Sequence, residues 1–329
     1  MSLWENIKTI KVEYFNEYVN AIVISSDNKY FATGNYNYII KIWSLLSGKL
    51  VKELGKPFSR NSLGDPYPES YYHKHGHCNS IQTVLFTPDN KYLISGSLDK
   101  TLRLWDLSTM ETCHIFKGHE GFIMSAVVSL DGNYLISGSY DKTIKIWDLN
   151  SLKIIRTIQV HSPIYSVAVS AERNYIISGS SDKLIRVWNL NTGELIRKIE
   201  AHKRVINSVA VSPEEVFIIS GSKDKNINVF KLLTGKFVKT LKGHRKAVLS
   251  VVISPNEKYI ISSSQDKTIK VWKLNNGKLI QTLEGHKTGI NSIALSPDWK
   301  YLISGGGIGF FKKSEIKIWK SRIQSYFIL

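Results

Sequence analysis

Six tryptophans and one phenylalanine fall at nearly equal intervals along this 329-residue chain, and that interval limits the fold more than any other feature of the sequence. Trp43, Trp105, Trp147, Trp188, Phe230, Trp272 and Trp319 are separated by 62, 42, 41, 42, 42 and 47 residues. A fixed period of about 40 to 45 residues is the spacing of one four-stranded propeller blade. Seven such units imply a ring of seven blades, whose radial closure leaves only short, protected sheet edges. Local patterning agrees. Residues 290–295, 301–304 and 316–319 are β-branched or aromatic runs of alternating polarity, separated by Pro, Asn, Asp and Gly, and no sustained 3.6-residue pattern competes with them.

The recurring phrase reads Gly-His, an alternating apolar stretch, then Ser-Gly-Ser-x-Asp-Lys-Thr-Ile-Lys-Val-Trp. Gly118 and His119 with Ser137, Asp141 and Trp147 form one full copy; Gly243 and His244 with Ser262, Asp266 and Trp272 form another. The phrase resembles the WD40 repeat (G-protein beta-like) family over nearly the whole chain. The fold this resemblance implies is all-β, a seven-bladed β-propeller of four-stranded antiparallel blades spanning residues 1–329 as one domain. It places Gly-His on the loop from outer strand d of one blade to inner strand a of the next, and the Asp on the turn between strands b and c.

Recurring His, Ser and Asp invite a hydrolase triad. Repetition argues against it, because an active site needs one such group in one cleft. The resemblance makes them structural tetrads instead: His77, Ser95, Asp99, Trp105; His119, Ser137, Asp141, Trp147; His161, Ser178, Asp182, Trp188; His202, Ser220, Asp224 before Phe230; and His244, Ser262, Asp266, Trp272. Three units depart from the pattern. Phe230 has no indole N–H to donate, the first unit has Thr33, Asn37 and Trp43 but no His, and the last has His286 and Ser304 but Lys313 where the Asp is expected.

The resemblance implies that two interruptions stand side by side on the top rim of the ring: residues 55–76, rich in Pro and Tyr, between units one and two, and the Gly-rich residues 305–314 in unit seven. The latter lacks the Gly before Lys-Ser of a phosphate loop and would join two strands. His73, His75, His77 and Cys78 have a metal-like composition, but the tetrad claims His77. No cofactor and no metal are therefore expected. Residues 7–10 resemble the outer-strand phrase of residues 280–283 and would complete the last blade, with residues 323–329 as the competing strand.

Two cysteines, Cys78 and Cys113, are too few to staple a secreted fold. With no apolar run long enough to cross a bilayer and no signal-peptide pattern at the start, the cytoplasm or nucleus is expected. The net charge of +17 is unevenly placed: residues 201–329 carry 22 Lys and Arg against 8 Asp and Glu, a surplus of 14. Lys203, Arg204, Lys223, Arg245, Lys246, Lys287, Lys312 and Lys313 belong to top-face loops in the family's geometry, whereas units two to four present Leu98, Phe122, Met124, Tyr140 and Tyr165 there. Such a surface suits a non-catalytic scaffold for acidic or phosphorylated protein segments with an apolar anchor. The alternative is a basic propeller that binds ribosomes or RNA. A small-molecule substrate is not expected, and no adjacent Arg pair of the lipid-binding propellers supports a membrane surface.

Overall fold

Strand b of each unit is buried along nearly its whole length, as at Tyr92–Ser97 and Tyr134–Ser139, because it lies between strands a and c within one blade and between two neighbouring blades across it. The computed structural model describes residues 3–12, 17–56, 75–170, 172–307 and 314–322. These form seven four-stranded antiparallel sheets. Blade one consists of Val19–Ile24, Tyr30–Asn35, Ile40–Ser44 and Leu50–Leu54, strands a to d from the central channel outward. Blades two to six repeat that order. Blade seven takes strands a to c from Ile290–Leu295, Tyr301–Gly306 and Glu315–Ser321, and its strand d from Trp4–Lys11.

That last strand closes the ring. Its ladder runs from Trp4 opposite Ser321 to Lys11 opposite Glu315, with an irregularity between Asn6 and Lys8. Trp4 is buried and meets Trp299 edge-on at 5.1 Å, and the Gln281 side chain accepts from the amides of Leu3 (2.7 Å) and Trp4 (3.0 Å) and donates to the Trp4 carbonyl (2.8 Å). The competing segment, residues 323–329, lies outside the described residues.

Cores form between blades rather than within them. Ile136, Ile144 and Ile146 of blade three pack with Ile164, Val167, Ile176 and Trp188 of blade four, and every other interface repeats the arrangement. The Gly of Ser-Gly-Ser is there because the next blade is so near: a Cβ on Gly138 would lie 2.5 Å from Cγ2 of Ile164. Blade six has Ser263 in that slot, and its hydroxyl is buried with no partner among the described residues.

Polar ties join the blades at two radii. Near the channel, Ser125, Ser166, Ser208 and Ser292 accept from the amides of Val167, Val209, Val251 and Ile22 in the following blade, at 3.0–3.1 Å. At the outer edge of the opposite, lower rim, a strand-d cation reaches the c–d turn of the next blade. Arg156 donates to the Asn191 carbonyl (2.6 Å), Arg197 to that of Leu232 (3.2 Å), Lys239 to that of Leu274 (3.0 Å) and Lys8 to that of Ser47. Residues 57–74 and 308–313, which hold most of both interruptions, lie outside the described residues. Their necks are closed: a Cβ on Gly76 would lie 2.7 Å from the Gly55 Cα, and the Ser314 hydroxyl donates to the Gly306 carbonyl.

Candidate functional site

In blades two, three and six the chain of bonds is complete. The indole N–H of Trp105, Trp147 or Trp272 donates to the oxygen of Ser95, Ser137 or Ser262 at 2.8–2.9 Å. An indole is a donor only, so with a neutral ring the hydroxyl proton goes to Nε2 of His77, His119 or His244 (2.7–2.8 Å), and Nδ1–H donates to Asp99, Asp141 or Asp266 (2.7–2.8 Å). Burial alone would raise these three carboxyls; the bonds from His and Thr outweigh it and hold them well below the usual carboxylate range. In blade five His202 links Ser220 (2.8 Å) and Asp224 (2.9 Å) without the indole. Against the same burial, bonds from His202 and the Lys203 amide lower Asp224 to about 2. All four serines are fully buried, so no substrate carbonyl reaches their hydroxyls, and the bonds tie loop, turn and strand together.

Blade four corrects the expectation for His161. Its ring is exposed, its backbone is left-handed at φ 65°, and it bonds neither Ser178 nor Asp182 among the described residues. The reason is one missing residue. His77, His119, His202, His244 and His286 stand four residues before the first residue of strand a, whereas His161 stands three before Ile164. Val160, 2 % exposed, occupies the vacated core slot. Asp182 is held instead by Arg186 (2.6 Å) and by Ser180, while Trp188 keeps its bond to Ser178 (2.9 Å). In blade seven His286 bonds Ser304 (2.7 Å) with Trp319 behind it (2.8 Å). Burial, with Lys317 beside it, pushes the His286 ring down to about 3. Blade one puts the buried pair Glu17 and Lys41 beneath the Trp43–Thr33 bond.

Above these anchors the top rim divides by chemistry. Phe122 (42 % exposed) and Tyr140 (48 %) have ring centroids 6.0 Å apart and are tied by the bond from the Tyr140 amide to the Phe122 carbonyl (2.8 Å). Leu98 is half-buried, held by its amide to the Ser80 carbonyl at 2.9 Å. Met124 and Tyr165 are not on the loops. Each is the second residue of its strand a, Ile123–Val128 and Ile164–Ser170, and half-lines the channel. Burial and the neighbouring Tyr140 raise the Tyr165 phenol, so the aromatic cluster runs from rim into channel mouth.

The corresponding residues of the other blades, Asn20, Gln82, Asn207, Leu249 and Asn291, complete a ring of seven around a channel of about 480 Å³. They had a sequence signal, the same repeat spacing that singles out Met124 and Tyr165. A further pair, Tyr18 and Tyr36 at 5.6 Å edge-on, extends the aromatic sector to blade one. On blades five and six Lys203, Arg204, Lys223, Arg245 and Lys246 are exposed, with no carboxylate partner among the described residues; Lys287 on blade seven reaches Glu315 at 3.8 Å. Lys312 and Lys313 lie outside the described residues. Among the described residues no three His, Cys, Asp or Glu side chains gather as a metal site, and no helix is long and apolar enough to cross a membrane.

The family model described as WD domain, G-beta repeat matches residues 4–44, 69–106, 110–148, 152–189, 193–231, 235–273 and 277–320. Similar stretches occur in the nuclear distribution protein nudF of Aspergillus terreus (36% identical over 88 residues, 27% of this chain and 15% of that protein). They occur also in a ribosome biogenesis protein WDR12 homolog of Drosophila mojavensis (34% over 97 residues, 27% and 20%) and in protein HIR1 of Eremothecium gossypii (34% over 96 residues, 28% and 11%). The matched stretches thus span at most a fifth of these relatives' length.

Proposed function

Because the chain belongs to the WD40 family of WD domain, G-beta repeat propellers, which serve as protein-interaction scaffolds, we propose that its top face docks an acidic or phosphorylated segment of another protein. The observation that carries this reading is the juxtaposition of two sectors. Phe122, Tyr140 and Tyr165 offer apolar area at the channel mouth, and the exposed cations of blades five and six, without a carboxylate partner among the described residues, begin one blade further round. Aromatic side chains supply burial at low entropic cost. Exposed Lys and Arg supply steering and charge-assisted bonds to carboxylate or phosphate. On this reading the tetrads are the frame that fixes the loops and take no part in chemistry.

A second reading rests on the net charge of +17 and on the relative named for ribosome biogenesis. A basic propeller of this kind would hold RNA through its phosphates, with an affinity that falls steeply with salt. Affinity capture from lysate at low and high salt, with and without nuclease, separates the two. Proteins retained through both treatments, and lost when Phe122→Ala and Tyr140→Ala are combined, support the peptide scaffold; bound material that is ribosomal, or that disappears with nuclease and salt, replaces it with the RNA reading.

A further inference from the structure

The lower rim carries a groove of about 530 Å³ between blades two and three, on the opposite side of the ring from the loops considered above. Leu104, Leu149 and Leu152 form its apolar floor; Asp89, Asp106 and Asp131 stand along its edges. No Lys or Arg lines it among the described residues; Lys91 stands at its rim, its exposed ammonium 4.0 Å from the Asp89 carboxylate.

This interface lacks the outer tie among the described residues. His114 takes the place that Arg156, Arg197 and Lys239 hold in blades three, four and five, and its ring packs edge-on against Phe116 at 4.7 Å instead of reaching the next turn. Leu152 takes the place that Gly193, Gly235 and Gly277 hold in blades four, five and six, and like them is left-handed, at φ 59°. The two exchanges are linked. A Cβ on Gly193 or Gly235 would lie 2.5 Å from Cδ of the arginine crossing from the previous blade, so a side chain in this turn requires that stem to stand aside; blade two has Met110 in the same left-handed position, after Lys52 of blade one.

We propose that the groove docks a segment of a partner protein in which Lys or Arg flanks an apolar side chain. The apolar side chain packs on the leucine floor, and the cations face the three carboxylates. The positive charge of the rest of the molecule does not prevent this. Exposed charges more than about 8 to 10 Å apart are largely screened at physiological salt, so a bound cation feels the groove's carboxylates more than the lysines of blades five and six.

The probe is a fluorescently labelled synthetic peptide of alternating arginine and leucine, followed by anisotropy, with a glutamate and leucine peptide as control. Asp89→Asn with Asp131→Asn removes charge and keeps the turns, because Asn256 already makes the same turn bonds in blade six, to the Ser254 hydroxyl at 2.7 Å and the Lys258 amide at 3.1 Å. H114R with L152G rebuilds the outer tie and closes the groove. Expected are saturable binding of the basic peptide that weakens with salt, a loss of about tenfold in the Asn pair, and abolition in H114R/L152G with its far-UV spectrum unchanged. No saturation at millimolar peptide, equal binding by the Asn pair, or equal affinity for the glutamate peptide overturns the proposal. The outcome is independent of the top face, whose residues none of these variants touches.

Discussion

At the scale of single residues, the repeat is most informative where it is broken. Ser263 stands in a slot that other blades fill with Gly, and its hydroxyl is buried without a partner among the described residues. A buried hydroxyl left unbonded costs about 1 to 3 kcal/mol. Ser263→Ala keeps the Cβ that the site already accommodates and should raise stability by about 1 kcal/mol in urea denaturation; an unchanged or lower midpoint would mean that the hydroxyl is satisfied. His286 has a second consequence. Its ring, held by burial near 3 in the fold, titrates at its ordinary value of 6.5 in the unfolded chain. As pH falls below 6.5 the unfolded state takes up the proton first, so stability is lost between 6.5 and 3. Between pH 7 and 5 the loss from this group is of order 2 kcal/mol, and His286→Gln should flatten the stability profile by that amount. Sequence made the tetrads legible as a set, but not the vacancy at His161. The signals were the 41-residue gap between Trp147 and Trp188 and Val160 in place of the Gly before His: a deletion of one residue moves a side chain out of a core slot even though the Ser, Asp and Trp that follow it keep their spacing.

At the scale of elements, alternation and turn residues placed the strands, because each strand b is buried on both faces and each strand a on one, a pattern that writes itself into neighbouring residues. The closing strand was legible only as a likeness between residues 7–10 and an outer strand. What holds it, the Gln281 clasp and the Trp4–Trp299 contact, joins residues some 277 to 295 positions apart in sequence. Trp4→Ala opens a cavity at that seam and should cost about 3 to 5 kcal/mol. Hydrogen exchange gives the sharper readout: amides of Glu315–Ser321 should lose protection in the variant while those of Leu184–Asn189 in blade four keep theirs. Uniform loss across the ring would mean that blade seven does not open on its own. The outer ties escaped the sequence for a related reason. Arg156 and Asn191 are 35 residues apart, and only the geometry of adjacent blades brings a strand-d cation over the following turn.

At the scale of the whole molecule, charge and apolar area are segregated around one ring. The imbalance was legible as a surplus of 14 in residues 201–329. The depth of Met124 and Tyr165 was not, since loop and channel mouth differ by a single residue of register. Reversing Lys203, Arg204, Arg245 and Lys246 to Glu should abolish capture of acidic ligands while leaving the thermal midpoint within a few degrees, because all four are exposed and without a carboxylate partner among the described residues. Retention of those ligands would place the binding surface elsewhere on the ring. One feature of the closure has a mechanical side. Trp4 and Ser321 are opposite each other at one end of the same antiparallel ladder, so tension applied through these two points does not load the seven blades together. It peels the ladder from that end, pair by pair, which makes blade seven the tear strip of the ring and leaves the other six sheets slack until it has opened.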